Sequence, residues 1–239
     1  MRNRGRVLGF MIWTGFALCA AGQHNRLTDE ERQQGWRLLF DGTTSQGWLE
    51  ITGKPFPTHS WTIEDGCLKA LVREDGFQDI RTADTFRSFD LEFDWKLLAD
   101  GNSGVKYLIQ KSDEWVNQQG RQARARGLEY QLADDRNSDA ASDPARVTAS
   151  LYSVYAPSPR VPFALGEFNH SRIVVRGDHV EHWLNGVKVL EFGLQQAPVS
   201  KQLLNLRGPD EPVRRESPIS LQNHSSPTWF RDIKIKPLP

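Results

Sequence analysis

The sequence predicts an all-β sandwich of the jelly-roll kind, on three observations. About a dozen short segments alternate apolar and polar residues with a period of two. Turn dipeptides punctuate them, among them Asp65-Gly66, Asp100-Gly101, Gly177-Asp178 and Asn185-Gly186. Helical periodicity is nearly absent, and no strand–helix–strand alternation appears. A length of 239 residues suits one β-domain.

Residues 1–22 read as a secretory leader. Arg2, Arg4 and Arg6 precede the largely apolar Val7–Ala21, and small residues from Cys19 to Gly22 suit cleavage after Ala21 or Gly22. The apolar run is shorter than the roughly 20 residues of a membrane-spanning helix. The expectation is export to the periplasm or beyond, with no span after cleavage. Lipid anchoring at Cys19 is disfavoured by Leu18. Losing three of the 30 basic residues leaves 27 against 30 acidic ones, a net charge of −3. That balance argues against a nucleic-acid partner. Cys67 is then the remaining cysteine, so no internal disulfide forms, and its alternating surroundings make it a small buried apolar residue.

Residues 23–34 form a linker and a short helix, opened by the capping box Thr28-Asp29-Glu30-Glu31 and ended by Gly35. Residues 35–239 form the single sandwich domain. Trp36–Phe40 is its first strand. Later strands are expected at 48–51, 60–64, 67–72, 80–82, 88–97, 105–110, 128–132, 172–176, 179–184, 187–192, 219–222 and 228–236. The clearest hairpin is His179–Leu184 with Val187–Phe192, because Asn185-Gly186 tolerates a type I′ turn. Ser112–Arg126, Asp134–Gly166 and Leu194–Ser217 read as long irregular segments, with a helical turn at Lys201–Leu206. Loops of that length commonly border a binding site.

The candidate site follows from outward faces. In Gly127–Asp135, Leu128, Tyr130 and Leu132 face a core while Glu129 and Gln131 face out, about 7 Å apart along the strand. In Asn102–Gln110, Val105, Tyr107 and Ile109 read as core, with Asn102 and Lys106 opposite. In Ile219–His224, Gln222 and His224 face out. If these strands adjoin, one face pools a carboxylate, an imidazole, an ammonium and amides, a set that can hold a sugar and move protons. Trp183, sharing a face with Glu181, is a candidate sugar platform, whereas His182 faces inward with Val180 and Leu184. Asp134 and Asp135 either end a strand or bind a metal ion. Phosphate loops, nucleophile elbows, zinc spacings and dinucleotide fingerprints are absent from the sequence.

The ordered segments L-F-D-G (39–42), W-T-I-E-D-G (61–66), G-N-S-G-V (101–105), G-L-E-Y-Q-L-A-D-D (127–135), S-L-Y (150–152), H-W-L-N-G-V-K-V (182–189), I-S-L-Q-N-H (219–224) and W-F-R-D-I-K-I (229–235) carry a resemblance. Over about residues 35–237 the chain resembles the 3-keto-glycoside lyase/hydratases, also called 3-keto-disaccharide hydrolases. The resemblance implies a concanavalin-like jelly-roll sandwich and cleavage of 3-keto-glycosides by elimination and hydration. It implies Glu129 and His224 as acid and base in either order, and Asn102, Lys106, Gln131, Asp134, Tyr152, Trp183 and Gln222 as substrate-binding residues. A divalent metal ion on Glu129 and His224 is the candidate cofactor. The partners implied are a small carbohydrate substrate and an upstream sugar 3-oxidoreductase. Two departures are visible: Ser153 stands where the family often has an acid, and Gln222-Asn223-His224-Ser225 replaces the usual Q-D-H-G. The competing readings are a non-catalytic carbohydrate-binding module using Trp183 and Trp115, and a hydrolase of ordinary glycosides pairing Glu129 with Glu181 or Asp134.

Overall fold

Alternation shows how the core is assembled. In the segment Phe89–Leu97, residues Phe89, Leu91, Phe93, Trp95 and Leu97 are all buried, while Glu92, Asp94 and Lys96 line the other face. Their partners come from a second sheet. Phe93 meets Tyr130 edge-on at 5.9 Å between ring centroids, and Phe89 meets Tyr107 at 6.3 Å. Each such side chain stabilises the fold by roughly 1.5–3 kcal/mol through burial.

The computed structural model describes residues 24–239, so the expected leader and Cys19 lie outside the described residues. The elements are α1 (Asp29–Gln33), β1 (Arg37–Leu38), β2 (Trp48–Glu50), β3 (Trp61–Glu64), β4 (Cys67–Ala70), β5 (Gly76–Gln78), β6 (Ile80–Thr82), β7 (Phe89–Leu97), β8 (Asn102–Asn117), β9 (Gly120–Ala133), α2 (Ser138–Ser142), β10 (Asn169–Arg176), β11 (His179–Leu184), β12 (Val187–Gly193), α3 (Ala197–Leu206), β13 (Ser220–Leu221) and β14 (Thr228–Pro237). One sheet runs β12-β11-β10-β7-β14-β4-β3, with β1 also paired to β14. The other runs β2-β6-β13-β8-β9-β5. The two sheets form the all-β, concanavalin-like sandwich the sequence predicts.

The capping box forms as expected: Glu31 N–H donates to Thr28 Oγ1 at 3.1 Å, and Thr28 N–H to Glu31 Oε2 at 2.7 Å. The Asn185-Gly186 hairpin also forms, joining β11 to β12. His182 is buried and neutral, hydrogen-bonded to Tyr107 Oη at 2.8 Å, and burial pushes it down to about 4.

Two expectations fail, and one strand goes unforeseen. Ser112–Arg126 is not a loop: β8 and β9 continue through it as one long hairpin, closed at Asn117–Gly120 with Gly120 at φ +82°. On the β8 side, residues 111–117 are exposed or half-buried on both faces, so no alternation marks them. Cross-strand ion pairs brace it, Arg126–Asp113 at 2.6 Å and Arg121–Glu114 at 2.8 Å. Second, Ile109 does not share the Tyr107 face. The β8–β9 register shifts between Tyr107 and Lys111, with Leu108 at φ 47°. Leu108 therefore joins the main core, and Ile109 joins Ile51, Ala123 and Ala125 in a separate cluster. The unforeseen strand is β5; it pairs with β9 in parallel, Phe77 opposite Gln122.

The remaining long segments cover parts of both sheets. Residues 149–152 run along β9, with Ala149 N–H donating to the Gln131 carbonyl at 2.9 Å and Tyr152 N–H to the Glu129 carbonyl at 3.1 Å. The helical turn expected at Lys201–Leu206 is the end of α3, which starts at Ala197 and carries Pro198 in its first turn, where the missing N–H costs nothing.

Candidate active site

The strand order β13-β8-β9 places the three polar faces side by side. Lys106 sits opposite both Glu129 and Ser220 in register. The outer face so formed carries a cavity of about 380 Å³. Asn102, Lys106, Glu129, Gln131, Tyr152, Gln222 and His224 all line it.

A buried carboxylate that sequence reasoning missed organises this face. Asp79, between β5 and β6, is fully buried. Its Oδ2 accepts from Lys106 Nζ at 3.1 Å and from Ala125 N–H at 3.0 Å; its Oδ1 accepts from Asn223 N–H at 3.1 Å. One carboxylate thus ties together β8, β9 and the chain leaving β13. Lys106 Nζ lies 3.9 Å from Glu129 Oε2.

Glu129 has room because its neighbour is glycine. A Cβ on Gly104 would lie 2.3 Å from Glu129 Oε1, so a side chain there would displace the carboxyl group. The Gln131 amide is satisfied when turned to donate to Glu129 Oε1 at 3.3 Å and to the Ser103 carbonyl at 3.2 Å. Burial pushes the Glu129 carboxyl above the usual range, with Lys106 opposing it.

His224 leaves β13 on a turn built by Asn223. The buried Asn223 amide donates to the carbonyls of Ser60 at 2.9 Å and Leu71 at 3.2 Å. A carboxylate cannot make either bond, which gives the Asn-for-Asp departure a structural reason. Burial, and then the Arg124 charge, push the His224 imidazole below its ordinary value. Its ring lies 6.4 Å from that of Phe77. The buried Gln222 Oε1 has no partner among the described residues and is open to a ligand donor.

Two expected site residues are elsewhere. Trp183 lies on β11, in the other sheet. With Val180, His182 and Leu184 inward, it faces out on the opposite side of the sandwich. There it donates to Glu181 Oε2 at 2.8 Å and stacks under Arg172. Asp134 follows the end of β9 and is clamped by Arg136 at 3.0 Å and by Asp100 N–H at 3.1 Å. Arg136 above all holds its carboxyl down to about 2. It borders a separate cavity of about 610 Å³ whose walls include Val161, Phe163, Leu165 and Leu184. That cavity is larger and mostly apolar; its two acids, Asp134 and Asp135, are paired with Arg136 and Arg160, and no histidine lines it.

Arg124, Arg126, Asp139, Gln202 and Leu206 also line the site and went unread. The two arginines fall in the stretch taken for a loop, and the residues of α3 and α2 reach the site only through tertiary packing.

The expected divalent metal does not match the charges present. Among the described residues, the clusters of three ligating side chains are His24-Asp94-Asp232 and His179-Glu181-Glu191, and neither includes Glu129 or His224. Lys106 and Arg124 already supply positive charge beside both.

The chain is similar to known proteins in sequence and in fold. Residues 35–236 match the model of the 3-keto-alpha-glucoside-1,2-lyase-like domain. A protein of Bacteroides thetaiotaomicron named 3-keto-disaccharide hydrolase is 32% identical over 232 residues, 85% of this chain and 79% of that one. A solved structure from Parabacteroides distasonis, proposed as a glycosyl hydrolase, is 29% identical with a TM-score of 0.75, covering 91% of this chain and 100% of its own. A second from the same organism, proposed likewise, is 26% identical with a TM-score of 0.59, covering 80% and 99%. The chain belongs to the 3-keto-alpha-glucoside-1,2-lyase-like domain family.

Proposed function

We propose that this protein is a carbohydrate-active enzyme that cleaves the glycosidic bond of 3-keto-glycosides by elimination and then hydration, a net hydrolysis. One observation carries the reading. A carboxyl whose proton affinity is raised and an imidazole whose proton affinity is lowered line one cavity of sugar size. The family, and a relative named for a 3-keto-disaccharide, support the substrate class.

A ketone at C3 acidifies the proton on C2. Neutral His224 removes it, and the electron pair forms an enolate. The enolate collapses to a C1–C2 double bond and expels the glycosidic oxygen, which takes the proton of Glu129. Water then adds to C1 as Glu129 accepts its proton, and His224 returns a proton to C2. Both groups end as they began, and no redox equivalent is consumed. Asn102, Gln131, Gln222 and Tyr152 hold hydroxyls. No step is routed through a metal ion. An upstream sugar 3-oxidoreductase must supply the ketone. The leader-like first 22 residues support a place in the periplasm or outside the cell.

The test compares aglycone release from a 3-keto-glucoside and from its unoxidised counterpart. Release from the keto sugar alone is expected. Equal release from both, or none from the keto sugar, overturns the reading.

The pH profile carries a second prediction. Activity needs neutral His224, so it rises with pH through a value below 6.5, the ordinary histidine value. It also needs protonated Glu129, so it falls as pH passes a value above 4.5. A bell with an acid limb from His224 and an alkaline limb from Glu129 is expected from kcat/KM measured across pH. His224→Ala removes the acid limb. A profile that keeps rising above pH 8 would contradict these roles.

A further inference from the structure

Arg124 is the cation of the cavity left without a carboxylate partner among the described residues. The other positive groups there have carboxylate partners: Lys106 pairs with Asp79 at 3.1 Å, and the exposed Arg126 with Asp113 at 2.6 Å. No carboxylate among the described residues pairs with Arg124, and its buried Nε has no hydrogen-bond partner. Its guanidinium lies over two aromatic rings, 4.7 Å from the centroid of Phe77 and 5.8 Å from that of Trp115. Phe77 is the ring that also meets His224. One buried side chain on β5 therefore positions the base and this cation together.

The charges point the same way. Asp79 offsets Lys106. With Glu129 protonated, as the acid must be, Arg124 leaves the site with one positive charge in excess. Removal of the C2 proton creates one negative charge, which resides on the oxygen at C3, the atom next to the bond that His224 breaks. A cation fixed by ring stacking needs no reorganisation as that charge appears. Resting on the reaction proposed above, we propose that Arg124 is the oxyanion partner: it donates N–H to the C3 oxygen and stabilises the enolate.

Enolate formation can be read apart from bond cleavage. A 3-keto-1,5-anhydroglucitol has no aglycone to expel, so exchange of its C2 proton in D2O reports deprotonation alone. The wild-type protein is expected to catalyse this exchange. Arg124→Gln should slow both the exchange and aglycone release by roughly 10²–10³-fold, as loss of one oxyanion donor does, with KM changed little. Arg124→Lys, which keeps the charge, should recover part of both. Thermal midpoints close to wild type would show that the stack on Phe77 is not the cause. Wild-type exchange by Arg124→Gln, or equal losses in the Gln and Lys variants, overturns this inference and leaves the reaction standing. A wild-type protein that neither exchanges nor cleaves overturns the reaction, and the role of Arg124 with it.

Discussion

Glu129→Gln lowers kcat for aglycone release from a 3-keto-glucoside by about 10²–10⁴-fold, the range for loss of a general acid. The glycosidic oxygen must leave C1 with a proton, and Glu129 is the acid best placed to give it. Its carboxyl projects into the cavity over the space left by Gly104, and burial favours its protonated form. Glutamine has nearly the same shape and still hydrogen-bonds Gln131, so binding and fold should survive while proton donation is lost. The variant should show a KM within a few-fold of wild type, an unchanged thermal midpoint and no alkaline limb in its pH profile. Wild-type turnover by a folded Glu129→Gln protein would remove this residue from the chemistry.

Asp79→Ala destabilises the protein by about 3–5 kcal/mol, the cost of leaving a buried charge without its partner. For a domain of this size that is a fall in thermal midpoint of roughly 6–20 °C. The side chains of the Lys106–Asp79 pair are 5% and 0% exposed, so solvent cannot replace the lost carboxylate. The substitution also strips the acceptor from two backbone N–H groups, those of Ala125 and Asn223. Lys106→Met removes the charge but leaves Asp79 with both amides, and it should cost less. Thermal denaturation of both variants decides: an Asp79→Ala loss no larger than that of Lys106→Met would mean that the amide bonds contribute little. Because Asp79 accepts from the Asn223 backbone N–H at the turn before His224, Asp79→Ala should also reduce activity in the fraction that remains folded.

The legible parts of this molecule are those where one face of a strand is buried and the other is not. In 127–135 the alternation separates Tyr130, in the core, from Glu129 and Gln131, on the cavity. The same parity places Asn102, Lys106, Gln222 and His224. Parity says which way a side chain points from its own strand, not to which sheet the strand belongs. Trp183 points outward as read, yet from the other side of the sandwich. Asp134 has the right chemistry but follows the end of β9, where Arg136 reaches it. Arg124 was hidden by a different cause. Along this part of β9 the buried residues are the small or polar Gln122, Ala123 and Ala125, and the facing part of β8 is largely uncovered, so no apolar period stands out. Asp79 has no alternation to betray it either; an acid between two short strands looks like a turn until three donors converge on it.

In a chain without its first 22 residues, the Cys67 thiol has an experimental use. Cys67 opens β4 opposite Glu64 of β3, is 2% exposed, and is the single cysteine between residues 24 and 239. Burial pushes its thiol up, which suppresses the reactive thiolate in the native state. An alkylating reagent then labels the protein only in molecules whose β3–β4 edge has opened. The rate of mass gain under native conditions measures that opening free energy on the unmodified chain, with no dye or introduced residue. The molecule carries its own stopwatch for unfolding, set on the sheet opposite the cavity.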